Sequence, residues 1–91
     1  MENEIIHENN KFYTVVEGQE CHLEYMIDGD DTMVFYHTYV PLSLRGRGLA
    51  MKIIKEGLDY AISNNMKFVP ACSAVRTFVR KYPEYEENMK L

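Results

Sequence analysis

Residues 40–50 read Val40-Pro41-Leu42-Ser43-Leu44-Arg45-Gly46-Arg47-Gly48-Leu49-Ala50, with glycines and arginines alternating at the centre. An apolar run of β type precedes this loop and a helical pattern follows it. The layout suits an anion such as phosphate. Glycines let the backbone come close, and the unpaired N–H groups of a helix start point at the bound group. Arg45 and Arg47 add charge-assisted donors. A solvated turn would look the same, so the loop alone decides little. A P-loop would need Gly-Lys-Ser/Thr, and a dinucleotide fingerprint a third glycine and a later acidic partner; neither is here.

The remaining candidates for chemistry are His7, His22, His37, Cys21 and Cys72. The cysteines form no Cys-x-x-Cys pair, and His7 and His22 have no sequence partners that suggest a metal, so no metal site is expected. Cys72 falls where a strand gives way to a helix, a position that lowers a thiol's pKa. Small cysteines also serve as core filler, and Cys21, on the apolar side of an alternating strand, reads that way.

At 91 residues, 46% of them hydrophobic, the chain fits one domain spanning residues 1–91. Its formal net charge of −4 argues against a nucleic-acid partner. No run approaches the roughly 18 apolar residues of a membrane span, so no membrane partner is expected. The acidic N-terminus lacks the pattern of a signal peptide. With two free thiols, a cytoplasmic location is expected. Residues 1–9 and 84–91 read as flexible or peripheral ends.

The elements that must position these residues follow from periodicity. Residues 11–17, 21–27 and 32–40 read as strands, separated by Gly18-Gln19 and by Asp28-Gly29-Asp30-Asp31. In the second, Cys21, Leu23, Tyr25 and Ile27 share a face. The third is apolar on both sides, which predicts a central strand covered on both faces. On it, Met33, Phe35, His37 and Tyr39 would point one way. From residue 49 to 64 the period turns helical, with Ala50, Ile53, Ile54, Gly57, Leu58, Ala61 and Ile62 in one stripe. Gly57 within it suggests close approach to the sheet, and Asn64 and Asn65 suit the helix end. Residues 67–71 form a short strand with Pro70 at an edge or bulge. Ser73 can cap a second helix with the stripe Val75, Phe78, Val79 and Tyr82, ended by Pro83. The predicted fold is α+β, in the order βββαβα, with an antiparallel meander and one parallel β-α-β crossover.

At the glycine loop the chain resembles the GNAT superfamily of N-acetyltransferases, whose acetyl-CoA signature is Gln/Arg-x-x-Gly-x-Gly/Ala between a strand and a helix. Arg45, Gly48 and Ala50 meet its fixed positions. The match is closest to a very small branch with His-Thr-x-Val before the loop and Pro-x-Cys-Ser after the helix. His37-Thr38-Tyr39-Val40 and Pro70-Ala71-Cys72-Ser73 fit both. The resemblance spans roughly residues 11–81.

The resemblance implies a minimal GNAT-like fold with splayed strands, pantetheine in the gap and pyrophosphate on the loop. Acetyl-CoA is the implied acyl-donor substrate, met by Thr38, Tyr39, Val40, Pro41, Arg45, Gly46, Arg47, Gly48, Leu49, Ala50, Cys72 and Phe78. It further implies transfer to a primary amine, with a cationic acceptor suited to the acidic chain. A lysine-type amine has a pKa near ~10, so a base closer to neutrality helps. His37, near the end of the first arm, is the candidate base; it could equally be a packed side chain. Cys72 could accept the acetyl group, act as acid toward the departing thiolate, or line the pocket. Glu24 could relay a proton, and Glu84, Glu86 and Glu87 could attract a basic acceptor. The chain lacks the helices that usually wall the acceptor side, which leaves a non-enzymatic acyl-CoA-binding or protein-interaction module as the alternative.

Overall fold

The computed structural model describes residues 4–90. Five strands, β1 (Ile6–Glu8), β2 (Lys11–Val16), β3 (Gln19–Asp28), β4 (Thr32–Tyr39) and β5 (Lys67–Pro70), form one sheet in chain order. Helix α1 (Leu49–Ser63) joins β4 to β5, and α2 (Ser73–Lys81) follows β5. The first four strands pair antiparallel, whereas β4 and β5 run parallel.

The observed order carries one strand more than the sequence suggests. Residues 6–8, expected to be frayed, pair with β2 instead. Asn9 and Asn10, at φ 53° and 59°, close that hairpin. Two left-handed residues in a two-residue loop match the twist of the flanking strands, and asparagine tolerates that conformation. Residues 1–3 of the expected flexible end lie outside the described residues.

Between β3 and β4 the register slips by one. Tyr25 pairs with Phe35, but the preceding Glu24 pairs with His37, leaving Tyr36 as an extra residue on β4. Such a bulge reverses which way later side chains point. Phe35 and Met33 are buried on the face that packs on α1. Past the bulge Thr38 takes that face, opposite buried Leu23, while His37 and Tyr39 turn to the other, opposite Glu24 and His22. His37 is therefore not packed among Met33 and Phe35. Nor is β4 covered on both faces: Tyr36 and Tyr39 remain 45% and 43% exposed.

The core is built by α1 lying across β2 to β5 and by α2 packing on α1, β4 and β5. The α1 stripe buries Ile53, Ile54, Gly57, Leu58 and Ala61, while Ile62 stays largely exposed. Gly57 lets the helix down onto the sheet, since a Cβ there would stand 2.7 Å from Leu23 Cδ2 and 3.1 Å from Phe35 Cε1. The helix ends in a Schellman motif: Met66 N–H donates to the Ala61 carbonyl and Asn65 N–H to that of Ile62, with Asn65 at φ 57°. On β3 the apolar alternation holds through Tyr25, but Ile27 lies beyond the helix and is exposed.

Residues 84–90, expected as a loose or peripheral end, are tied down. Pro83–Asn88 forms a 3₁₀ turn that buries Tyr85, whose hydroxyl donates to Asp59 Oδ1 at 2.7 Å. Met89 then bridges to Phe68, and Lys90 N–H donates to the Phe68 carbonyl, covering part of the edge of β5.

Candidate functional site

The last ladder pair between β4 and β5 is Phe35 with Pro70. Beyond it the two strands separate. Pro70 has no N–H to extend the ladder, and the bulge at Tyr36 bends β4 just where pairing stops. A cavity of about 450 Å³ opens at this splay, lined by Thr38, Tyr39, Val40, Arg45, Ala50, Ser73 and Ala74. Tyr39 faces the uncovered side of the sheet and Ala50 belongs to α1.

Thr38 and Cys72 meet across the gap, with Oγ1 and Sγ 3.2 Å apart. Cys72, not Ser73, occupies the N-cap position of α2. Its backbone is extended (φ −102°, ψ 140°), its carbonyl accepts from Val75 and Arg76, and Ser73 is already helical. The thiol thus stands where a capping hydroxyl usually stands. Burial pushes the thiol pKa up, but hydrogen bonds from the Thr38 hydroxyl and from the backbone N–H groups of Val75, Ala74 and Thr38 outweigh it. The net effect holds Cys72 below the usual thiol range. Cys21, buried in the core without such donors, is pushed up.

The glycine loop sits at the helix side of the gap. A 3₁₀ turn at Leu42–Leu44 pins it through fully buried Leu44. Gly48 is the N-cap of α1 with φ 76° and ψ 15°, a left-handed geometry that costs an L side chain about 1–2 kcal/mol. No side chain caps this helix and its first turn holds no acidic residue. Its leading N–H groups are available to an anion. Arg45 Nε donates to the Val40 carbonyl at 2.9 Å, which tethers the guanidinium over the loop. Arg47 pairs with Glu17 at 2.8 Å on the exposed surface, so it would have to exchange that partner to meet a phosphate.

Two smaller clefts continue the opening. One of about 230 Å³ is lined by Val40, Leu44, Arg45, Gly46, Gly48, Leu49, Ala50 and Met51. The other, about 350 Å³, runs from Gly48 and Met51 past Lys52 to Phe78 and Tyr82. Together the three take in most of the residues expected around an acyl donor. Pro41 is buried instead, and Arg47 and Cys72 line none of the three.

This arrangement can be set against known proteins. A family model described as GCN5-related N-acetyl-transferase matches residues 11–88. The chain belongs to this family. The protein named NATD1 from Xenopus tropicalis is 30% identical over 76 residues, covering 77% of this chain and 70% of that protein. Human NATD1 is 28% identical over 90 residues, covering 92% and 80%. A GCN5-like candidate N-acetyltransferase from Staphylococcus aureus, solved by NMR, superposes with a TM-score of 0.77 at 26% identity, over 96% of this chain and 87% of that one. The α+β fold with its mixed sheet is thus the fold of a small GCN5-like acetyltransferase.

Chain spacing alone does not show two features of this GCN5-related domain. The Thr38–Cys72 contact joins residues 34 positions apart and depends on the bulge. The bulge also gathers His22, Glu24 and His37 on the uncovered sheet face, their ligand-type atoms all within 4.8 Å of one another. Alternation along β3 does put His22 and Glu24 on one side, but nothing in the sequence brings His37 to them. His7 lies elsewhere, stacked on Phe12 and against the Tyr25 hydroxyl. Among the described residues no helix is long and apolar enough to cross a membrane.

Proposed function

We propose that this domain binds acetyl-CoA in the splay between β4 and β5 and transfers the acetyl group to a primary amine. The observation that carries the reading is the Thr38–Cys72 contact of 3.2 Å beside the cavity at the strand splay. The loop amides after Gly48, with Arg45, hold the pyrophosphate. The edge of β4 that faces β5 meets the pantetheine amides, because past Phe35 the β5 ladder no longer pairs with it.

Thr38 and His37 are neighbours in sequence but face opposite sides of the sheet. This lets one strand serve both substrates. Thr38 orients Cys72 at the thioester side. His37 faces the side from which an amine arrives and accepts its proton as nitrogen attacks the carbonyl carbon. The carbon–sulfur bond then breaks, and Cys72 gives a proton to the departing CoA thiolate. Its depressed pKa favours that donation, and solvent restores the proton. Cytoplasmic location is part of the same proposal, since the donor is a metabolite of reducing compartments and both cysteines are unpaired.

Titration with acetyl-CoA, followed by amide NMR, tests the first half. Shifts should centre on Arg45, Gly46, Gly48 and Ala50; their absence would defeat the proposal. Release of free CoA with a panel of amines and basic peptides tests the second. Turnover should fall at least about 100-fold in His37→Ala, as general-base catalysis typically contributes 10²–10⁴-fold. Binding without turnover for any amine would favour a module that only carries or senses acyl-CoA. That second reading draws on the sheet face around His37, which no helix covers.

A further inference from the structure

The uncovered sheet face carries a grouping that the acetyl-transfer reading does not require. His22 and Glu24 project from β3 on the same side, and His37, the direct partner of Glu24, projects beside them from β4. The ring centroids of the two histidines are 5.5 Å apart. Their potential ligand atoms and that of Glu24 lie within 4.8 Å of one another.

The orientation of His22 is what separates this cluster from an ordinary charged surface. Its Nδ1 lies 2.9 Å from Glu20 Oε2, and Lys11 Nζ donates to that same oxygen at 2.8 Å. A carboxylate accepts only, so Nδ1 is the donor in that contact and Nε2 is the ring atom left to ligate. Nε2 lies 3.9 Å from Glu24 Oε1, too far for a hydrogen bond. Among the described residues, neither Glu24 nor His37 has a side-chain hydrogen-bond partner. Three ligand-type groups thus lie close together without bonding one another, a spacing that one cation bridges. A ligating histidine whose second nitrogen donates to a carboxylate is also the usual outer arrangement of a metal site.

We infer that His22, Glu24 and His37 form a binding site for one divalent transition-metal ion of the zinc class. Two imidazoles and one carboxylate select such an ion over magnesium or calcium, which favour all-oxygen shells. Zinc bonds of about 2.0–2.2 Å put tetrahedral donors roughly 3.3 Å apart. From the present spacing that needs only small side-chain rotations on an open surface. Three ligands leave a fourth position to solvent. An ion held there occupies the His37 lone pair that proton abstraction needs, so loading and transfer exclude each other.

Zinc chloride titrated calorimetrically into the full chain, with no acetyl-CoA present, tests the site independently of acetyl transfer. One ion per chain should bind with micromolar affinity, and the NMR ring signals of His22 and His37 should move while those of His7 stay. His22→Ala and His37→Ala should each weaken binding at least tenfold with unchanged circular dichroism. Glu20→Gln, which removes no ligand, should weaken it about 10-fold or more through the lost outer carboxylate. Affinity unchanged in either histidine variant, saturation only at millimolar zinc, or loss of binding in Cys72→Ala would overturn the inference.

Discussion

Thr38 Oγ1 lies 3.2 Å from Cys72 Sγ, a contact from β4 to the N-cap of α2 beyond the point where β4 and β5 stop sharing a backbone ladder. The hydroxyl can donate to sulfur in either protonation state, but it stabilises the thiolate more. This is one reason Cys72 titrates low although burial opposes it.

Rates of iodoacetamide alkylation against pH report that balance. Cys72 should react with a midpoint below that of an ordinary thiol, and Cys21 should stay slow in the native state. In Thr38→Val the midpoint should rise. A hydrogen bond of about 1 kcal/mol corresponds to roughly 0.7 of a pH unit. A midpoint that stays put would mean the helix amides alone hold the thiolate.

Arg45 is tethered by its Nε to the Val40 carbonyl, so its terminal nitrogens are held over the loop. Arg45→Ala should raise the acetyl-CoA Kd by about tenfold, the equivalent of ~1.4 kcal/mol for one charge-assisted contact. Arg47→Ala should cost less, because Arg47 starts from an exposed pair with Glu17. Equilibrium titration of both variants, at matched salt, distinguishes the two roles.

Tyr85 links the chain's end to α1. Its burial and its hydrogen bond to Asp59 raise the phenol from 10.0 to about 12. Because the folded value lies above the unfolded one, this contribution to stability is complete below pH 10 and is lost as pH rises toward 12. Denaturant melts between pH 9 and pH 12 should show a fall that Tyr85→Phe makes smaller, the remainder coming from groups such as Tyr25 that burial also raises. At neutral pH that substitution should cost about 1 kcal/mol.

Gly57→Ala sets two effects in opposition. The helix gains about 1 kcal/mol in propensity, while the new Cβ would press within 2.7 Å of Leu23 in a fully buried contact. Overpacking costs about 1–3 kcal/mol, so packing should win or break even. Gly57→Val adds bulk and a poorer helix former, and should lower stability by about 3 kcal/mol. Thermal melts of both variants check the order.

Much of this fold could be read directly from residue patterns. The stripe along α1, the role of Gly57, the asparagine helix end and the turn at Gly29 each follow from local periodicity or a single residue's conformational freedom. The glycine loop and its flanking motifs pointed to the family. What stayed hidden was non-local. Asn9-Asn10 closes a hairpin whose first strand has only three residues, too short to show alternation. The packed tail depends on Tyr85 finding Asp59, 26 positions away. Plain alternation faces His37 and Thr38 the wrong way, because a bulge leaves no mark in a single strand's sequence. Cys72, rather than Ser73, takes the N-cap because the chain is still extended there.

The extra residue in β4 also decides which small changes the site can bear. Deleting Tyr36 removes an exposed ring and no core atom, and it would leave His37 opposite Glu24 and Thr38 opposite Leu23 on an even ladder. A slip that drew Tyr36 into the ladder opposite Glu24 would do the reverse. Thr38 would leave its cysteine for open solvent, and His37 would swing beneath the helix to face Leu23. The unpaired place of Tyr36 thus acts as a reading frame. A one-residue slip would preserve the fold's outline while turning its chemistry inside out.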